Sequence, residues 1–227
     1  MTTLAINYQD IITASQRIQG HAVMTPLLES PMLNQQLGGR VLFKAENLQR
    51  TGSFKFRGAF NKHSKLAQAN QLTGVVAYSS GNHAQGVAAA AAHFGVPATI
   101  IMPADAPQIK ISNTKALGAT VVLYNRNTED REAIGLKLAN QYNLTLIPPY
   151  DDVDIMAGQG TLGLEAAQQL EALGLVPDQA IGPIGGGGLI TGSTTALKHH
   201  FSNITVWGAE PEGHDDAARS IVAGQRL

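Results

Sequence analysis

The sequence predicts an α/β fold of two doubly wound, three-layer domains with mainly parallel sheets. From residue 41 onward, short β-branched segments alternate with longer alanine-rich segments of helical period, which is typical of strands joined by crossover helices. The segment 74–103 contains a strand, a glycine turn, a helix and a second strand, and therefore predicts one right-handed βαβ unit. A comparable unit spans residues 181–211. Such sheets bind ligands at the carboxyl ends of their strands.

The same alternation predicts the order of the elements along the chain. Strands are expected near residues 41–46, 74–78, 98–102, 120–124, 144–147, 179–183 and 204–209. Helices are expected near residues 54–69, 82–94, 107–117, 127–141, 154–173 and 188–200. Pro148 and Pro149 punctuate the chain where a crossing between domains could lie. We expect a larger domain of residues 1–50 and 148–227 and a smaller domain of residues 51–147.

Composition excludes several classes of function. The chain has 227 residues and 44% hydrophobic content, as expected for a soluble globular protein. Its 16 Lys and Arg balance 17 Asp and Glu, so there is no basic excess for nucleic acid. It has no apolar segment long enough for a membrane, no secretory signal pattern and no cysteine. We expect a cytoplasmic protein that acts on a small molecule.

Lys55 is the first candidate catalytic residue. It lies near the start of a predicted helix, between Phe54 and Phe56. The positive helix end and the apolar neighbours both disfavour a charged amine, so we expect its pKa to lie below the usual value of about 10.4. A neutral amine is what a lysine needs to form a Schiff base. A solvated lysine with two flanking core phenylalanines is the alternative.

Two turns between a strand and a helix are candidate anion sites. Ser79-Ser80-Gly81-Asn82-His83 offers backbone N–H groups that suit a carboxylate, although Ser or Asn acting as a simple helix cap is the alternative. Four consecutive glycines, Gly185, Gly186, Gly187 and Gly188, allow the backbone to approach a phosphate closely. A purely structural glycine turn is the alternative there.

The glycine turn also fits a protein of another class. Gly186-x-Gly188-x-x-x-Gly192, with Glu210 at the end of the next strand, is similar to a dinucleotide-binding fingerprint. An NAD-binding oxidoreductase is therefore a second hypothesis. It leaves Lys55 without a role.

Taken together and in this order, the three motifs resemble the fold-type II pyridoxal phosphate enzymes, which have a tryptophan synthase β-like fold. The resemblance is specifically to the threonine/serine dehydratase and serine racemase family, and it runs from about Ile18 to His214. It implies that Lys55 holds pyridoxal phosphate as a Schiff base, that Phe54 lies beside the cofactor ring and that Asn82 contacts the ring hydroxyl oxygen. It also implies that the cofactor phosphate is bound by Gly185, Gly186, Gly187 and Gly188.

The resemblance implies a dehydratase, or ammonia-lyase, that converts L-threonine, L-serine or a related β-hydroxy amino acid into a 2-oxo acid and ammonia. The substrate carboxylate would lie on the turn formed by Ser79, Ser80, Gly81, Asn82 and His83. Ser80 is a second catalytic candidate, because racemases of the family use a serine there on the ring face opposite the lysine. Serine or aspartate racemisation and dehydration of hydroxyaspartate are therefore alternatives.

Two further expectations concern a metal and a partner. Glu210, the backbone carbonyl of His214 and Asp216 offer oxygen ligands for Mg²⁺ or Ca²⁺, in a spacing similar to the divalent-metal site of the racemase-like members. A solvated acidic loop is the alternative. A homodimer agrees with the resemblance, since the family is often dimeric.

The resemblance extends beyond the end of the sequence. Family members continue past the position of Leu227, with a part that completes the larger domain and carries a Ser-Gly-Gly or Cys-Gly-Gly segment facing the pyridine nitrogen. We therefore expect the larger domain to be incomplete. An inactive truncated fragment is a third hypothesis.

Overall fold

The N-terminal part of the chain forms a helix and a small antiparallel sheet. Helix α1 (Tyr8–Ile18) precedes strand β1 (Leu27–Glu29), which pairs with strand β2 (Leu42–Lys44). Helix α2 (Pro31–Leu37) connects the two strands. Of these four elements, the sequence pattern predicted only β2.

The computed structural model describes residues 5–227. Its central sheet has four parallel strands. Its spatial order is β5-β4-β3-β6, with β3 (Val75–Tyr78), β4 (Ala98–Pro103), β5 (Thr120–Tyr124) and β6 (Thr145–Leu146). The flanking helices are α3 (Lys55–Gln68), α4 (Asn82–His93), α5 (Gln108–Ala116) and α6 (Arg131–Tyr142). Helices α4 and α5 share a core with one face of the sheet and α6 packs on the other, so this sheet is doubly wound as predicted.

The second part of the fold follows the central sheet in sequence. It contains α7 (Val153–Ala172), the parallel pair β7 (Gln179–Pro183) and β8 (Thr205–Ala209), α8 (Gly188–His200) and α9 (Asp216–Ala223). One face of the pair packs on apolar side chains of α7 and α8. On the other face Ile181 and Trp207 are 75% and 54% exposed. Within the described residues this sheet is therefore covered on one face only, in agreement with an incomplete larger domain.

Close helix crossings join the two parts. A β-carbon at Gly158 of α7 would overlap the backbone of Gly58 in α3, and one at Gly192 of α8 would overlap the backbone of Gly160 in α7. These glycines bring the three helices together at distances that any side chain would prevent. The segment 157–161 of α7, which contains Gly158 and Gly160, therefore has a packing role.

A buried ion-pair network fixes the start of α3. Two short 3-10 turns, Glu46–Leu48 and Arg50–Gly52, lead into this helix. The fully buried guanidinium of Arg57 donates hydrogen bonds to Glu46 and Glu165 at 2.7–2.8 Å. Lys44 donates to the same Glu165 carboxylate at 2.8 Å. Two positive and two negative charges thus neutralise one another, as buried ions require.

The predicted elements agree closely with the structure from β2 onward. All seven predicted strands and all six predicted helices are present, with ends that differ by a few residues. The central sheet lies within the predicted smaller domain, 51–147, while the division of the chain into two domains stays a prediction. Among residues 5–227, no helix combines the length and the apolar character that crossing a membrane would need.

Candidate active site

Lys55 lies at the first turn of α3 with its amine partly buried. Its Nζ donates a hydrogen bond to the backbone carbonyl of Pro149 at 2.7 Å, and lies 5.3 Å from the centre of the Phe54 ring. Burial lowers the pKa of Lys55 to about 8, because the charged form loses its hydration. Within residues 5–227 no carboxylate forms an ion pair with it. At pH 7 about one amine in ten is therefore neutral, compared with fewer than one in a thousand for an ordinary lysine.

The turn from Ser79 to His83 connects β3 to α4 and leaves N–H groups open. Gly81 is the N-cap residue of α4, and no side chain caps the helix. Ser79 Oγ accepts a hydrogen bond from the Gly81 N–H at 3.2 Å, while Ser80 and Asn82 are exposed. In the described part of the chain, the backbone N–H groups of Ser80 and Asn82 have no hydrogen-bond acceptor. The alternative that Ser or Asn caps this helix is therefore wrong.

His83 anchors this turn to the core. Its ring is buried, its Nε2 donates to the backbone carbonyl of Ile147 at 3.0 Å, and burial lowers its pKa to about 3. The imidazole is therefore neutral and held by the Ile147 carbonyl. Because the His83 side chain is buried, its part in binding a carboxylate at the turn stays a prediction that concerns its backbone.

The glycine turn lies between β7 and α8 in the form expected of an anion site. Gly187 has a φ of +82°, a left-handed conformation that favours glycine, and α8 begins at Gly188 without a side-chain cap. Among residues 5–227, the N–H groups of Gly185, Gly186 and Gly187 donate no hydrogen bond. Three open donors at a positive helix end suit a phosphate.

The segment 147–150, directly after β6, brings the three motifs together. The Ile147 carbonyl binds the His83 ring, and the Pro149 carbonyl binds the Lys55 amine. The Tyr150 ring lies so close to Gly186 that a β-carbon there would overlap it. Contacts with the segment that follows β6 are therefore made by Lys55, by the serine-glycine turn (residues 79–83) and by the glycine turn (residues 185–188).

The contribution of this segment was missed in the sequence. Pro148 and Pro149 indicated only a crossing between domains, and Tyr150 carried no motif. The available signal was position, because the segment follows a parallel strand at the ligand-binding edge of the sheet. Arg126 and Arg131 line a cavity together with Ser79 and Ser80 of the serine-glycine turn. They were also missed, because no local motif marks them.

The predicted metal site is not borne out. Both carboxylate oxygens of Glu210 accept hydrogen bonds from the backbone N–H groups of Ala217 and Ala218, at 3.0 and 2.9 Å. Glu210 therefore caps α9, of which Asp216 is the first residue, and His214 is exposed. Nowhere between residues 5 and 227 are three His, Cys, Asp or Glu side chains grouped so that they could hold a metal ion.

A family model described as "Pyridoxal-phosphate dependent enzyme" matches residues 18–227. The chain belongs to this family. Membership decides against the NAD hypothesis, in which Lys55 had no role. The cofactor of this family is pyridoxal phosphate.

Similar proteins agree with the match. The chain is 49% identical to an L-threo-3-hydroxyaspartate ammonia-lyase of a Pseudomonas species, over 96% of this chain and 67% of the relative. It is 43% identical to serine racemase of Schizosaccharomyces pombe, over 96% of this chain and 66% of the relative. A crystal structure of a threonine deaminase, whose source is given as T.th., has a TM-score of 0.91 and 45% identity, over 98% of this chain and 70% of that one. The chain thus spans about two thirds of the length of the curated relatives it matches.

The residues present fit the family's cofactor. Lys55 offers a buried amine of lowered pKa to an aldehyde, and nothing in the described chain pairs its charge. The open N–H groups of Gly185, Gly186 and Gly187 would hold the phosphate. Phe54 lies beside the Lys55 amine, where a ring could pack, and the exposed Asn82 side chain is free to contact a ring oxygen.

Proposed function

We propose that this chain carries the active-site lysine of a pyridoxal phosphate-dependent ammonia-lyase, which converts a small β-hydroxy amino acid into a 2-oxo acid and ammonia. The observation that carries the proposal is the convergence of Lys55, the serine-glycine turn and the glycine turn on residues 147–150. Family membership supports the cofactor, and the names of the relatives support the reaction.

Lys55 performs the proton transfer in this proposal. Pyridoxal phosphate supplies an electron sink that stabilises the negative charge left on the substrate α-carbon. The Lys55 Nζ, neutral in a substantial fraction because of its lowered pKa, accepts the α-proton. The β-hydroxyl group then takes up the proton that Lys55 holds and leaves as water as its C–O bond breaks. Addition of water to the unsaturated product gives the 2-oxo acid and ammonia.

The serine-glycine turn orients the substrate in this proposal. The open N–H groups of Ser80 and Asn82, at the positive end of α4, would bind the α-carboxylate. Fixing the carboxylate there limits rotation of the substrate, so that the α-proton stays within reach of Lys55.

Racemisation is a second candidate activity, and the position of Ser80 favours it. The Ser80 side chain is exposed at the turn and does not cap the helix, so its hydroxyl is available to donate a proton. A hydroxyl on one face of the substrate and an amine on the other would allow the α-carbon to lose and regain a proton on opposite sides.

Formation of a homodimer also remains a proposal.

The proposal is tested first by cofactor binding. We expect the purified protein with added pyridoxal phosphate to show an absorbance band at the edge of the visible range that Lys55→Ala abolishes. The matched control is Lys115→Ala, which removes an exposed lysine of α5 and should leave the band unchanged. A wild-type protein without the band would contradict the proposal.

Turnover is the second test. Release of 2-oxo acid should be compared for L-serine, L-threonine and L-threo-3-hydroxyaspartate with the cofactor-loaded protein. We expect activity on at least one of them, lost in Lys55→Ala. A protein that shows the absorbance band and is inactive on all three would be a binding protein or a fragment, and the lyase proposal would be wrong.

A further inference from the structure

The segment that follows β6 has few backbone donors with which to fix its own position. Pairing of β6 with β3 ends at Leu146, and the Ile147 N–H donates to the Val76 carbonyl at 2.9 Å. The next two residues, Pro148 and Pro149, have no N–H group. Donors from other parts of the fold, acting on the carbonyl groups of the segment, are therefore needed to hold it.

Two side chains supply these donors. His83 Nε2 donates to the Ile147 carbonyl at 3.0 Å, and Lys55 Nζ donates to the Pro149 carbonyl at 2.7 Å. The two carbonyl groups lie two residues apart, in a segment that is stiff because each proline ring fixes φ. Displacement of one carbonyl is therefore expected to displace the other.

Helix α4 also contacts Lys55 directly. Gly86 lies nearly one turn after His83, and a β-carbon built on Gly86 would be 3.1 Å from the carbonyl carbon and oxygen of Lys55. This is closer than an ordinary van der Waals contact, so α4 packs against the first turn of α3. The contacts form a closed ring, in which Lys55 meets α4 at its backbone and the segment after β6 at its amine.

The hydrogen bond of His83 persists over the pH range in which Lys55 titrates. Because a carbonyl oxygen can only accept, Nε2 must carry the proton of the neutral ring. Burial lowers the pKa of His83 to about 3, and the nearby charges of Lys55 and His63 act in the same direction. Within residues 5–227 no carboxylate pairs with Lys55. His83 can therefore hold the segment without exchanging a proton.

We propose that His83 is a positioning residue for Lys55, which holds the Pro149 carbonyl against the lysine amine through its hydrogen bond to the Ile147 carbonyl. The inference rests on the proposed function, in which Lys55 accepts the α-proton, and it adds a role for the buried ring of His83. One N–H donated to Pro149 restricts rotation about the Cε–Nζ bond of the lysine. The lone pair of the neutral amine is thereby kept within a limited range of directions.

The same contact bears on the hydration of the amine. The Pro149 carbonyl occupies space beside Nζ that water would otherwise take. Since burial is what lowers the pKa of Lys55, a displaced segment would admit water and let this pKa rise toward its ordinary value. The pH at which Lys55 becomes reactive therefore reports on the position of the segment.

Two substitutions of His83 separate the hydrogen bond from the bulk of the ring. His83→Gln places an amide N–H at about the reach of Nε2, whereas His83→Leu fills similar space without a donor. Competitive acetylation of the protein without added cofactor, at several pH values and with peptide mass spectrometry, gives a midpoint for each lysine. We expect a wild-type midpoint near 8 at Lys55. His83→Leu should raise it by about one pH unit or more, and His83→Gln by less than about half a unit.

Two controls separate positioning from loss of the fold. Lys44, which is buried in the ion-pair network, reports on the fold in the same experiment, and its labelling should not change. His63→Leu removes another buried histidine, whose ring bonds to Ala59 within α3, and should leave the Lys55 midpoint as in the wild type. If Lys44 shows that His83→Leu unfolds, His83→Asn replaces it. Its amide is one methylene shorter than that of glutamine, so the midpoint should shift in the same direction.

Two results would overturn the inference. The first is a Lys55 midpoint in the folded donor-free variant that equals the wild-type value. The second is a shift in His83→Gln as large as that in His83→Leu, because the donor at the Nε2 position would then have no effect on the amine.

Turnover by the cofactor-loaded protein distinguishes positioning of the lysine from a role confined to the serine-glycine turn. We expect kcat of His83→Leu at pH 7 to fall about tenfold for each unit by which the midpoint rises, and to recover at higher pH. His83→Gln should retain most of the wild-type kcat. A rise in KM with the pH profile of kcat unchanged would assign His83 to the turn alone and contradict the inference.

The two measurements also separate this inference from the proposed function, because acetylation requires no cofactor. A protein in which His83→Leu shifts the Lys55 midpoint, but which releases no 2-oxo acid, would contradict the lyase and support the positioning role. A protein that releases 2-oxo acid, with the same midpoint and the same pH profile in His83→Leu as in the wild type, would support the lyase and contradict the positioning role.

Discussion

The ion-pair network around Arg57 and the candidate active site around Lys55 lie two residues apart on α3, and they differ in how their charges are paired. In the network, every ion has a partner of opposite charge at 2.7–2.8 Å. At the candidate active site, the partner that residues 5–227 offer to the Lys55 amine is the neutral carbonyl of Pro149. The network stabilises the start of the helix. At Lys55 no carboxylate of the described chain pairs with the amine, which in the proposed function leaves it available for chemistry.

Two lysines make this comparison direct. Burial lowers the pKa of both Lys44 and Lys55, but the Glu165 carboxylate opposes the shift at Lys44. Lys44 is therefore held as a cation within an ion pair, whereas Lys55 is displaced toward its neutral form. Burial alone does not distinguish a structural lysine from a reactive one; the absence of a charged partner does.

The helix starts follow the same division. Asp130 and Asp152 cap α6 and α7 with side-chain hydrogen bonds. The N-cap residues of α4 and α8 are Gly81 and Gly187. Within residues 5–227 no side chain caps either helix, and their open N–H groups face the proposed ligand sites. At these four helix starts, the capped N–H groups belong to the structural framework and the open N–H groups lie at the proposed site.

The largest effect is expected from breaking the network. Arg57→Met should lower the free energy of unfolding by about 3–5 kcal/mol, because the Glu46 and Glu165 carboxylates would stay buried without a counter-ion. Chemical denaturation monitored by circular dichroism measures this change. Adding Glu46→Gln in the same chain should restore part of the loss. A loss below about 1 kcal/mol in Arg57→Met would contradict a structural role for the network.

A smaller effect of opposite sign is expected at Lys55. Lys55→Met should raise the free energy of unfolding at pH 7 by about 1–2 kcal/mol, because a buried charge with no charged partner is removed. Since the folded pKa of about 8 lies below the unfolded value, the wild type gains stability as the pH rises from 8 toward 10.5. The difference between the two proteins should shrink over that range. A variant less stable than the wild type at pH 7 would contradict the account.

The smallest effects are expected at the helix starts. Asp130→Ala should cost about 1 kcal/mol, as usual for the loss of a side-chain cap. Ser80→Ala should change the free energy of unfolding by less than about 0.5 kcal/mol, because Ser80 caps no helix. Thermal unfolding of the two variants side by side provides the measurement. Equal losses would mean that the Ser80 hydroxyl has a structural partner.

Most of the fold was predictable because its elements carry strong local patterns. From β2 onward, β-branched strands alternate with alanine-rich helices, and glycine marks the turns between them. The elements α1, β1, α2 and α9 were missed. Helix α1 starts at an Asn7 and Asp10 capping box, a weaker signal than the usual Ser or Thr box, and β1 has only three residues.

The site was only partly predictable. Lys55 and the two glycine-containing turns stand out locally, since each combines an unusual residue type with a helix start. The contacts of Pro149 with Lys55, of Tyr150 with Gly186 and of Arg131 with Tyr78 join residues far apart in sequence. No local pattern encodes such contacts, and they depend on the order of strands in the sheet.

The central claim is that Lys55 is the amine that takes up pyridoxal phosphate, and site-resolved trapping tests it most directly. The protein would be mixed with a limiting amount of pyridoxal phosphate at several pH values and reduced with borohydride, and the modified lysine identified by peptide mass spectrometry. We expect the label to be concentrated on Lys55, with an uptake rate that rises with pH through a midpoint near 8, the pKa of its amine. Label spread over the exposed lysines, or an uptake rate that still rises steeply toward pH 10, would contradict the account.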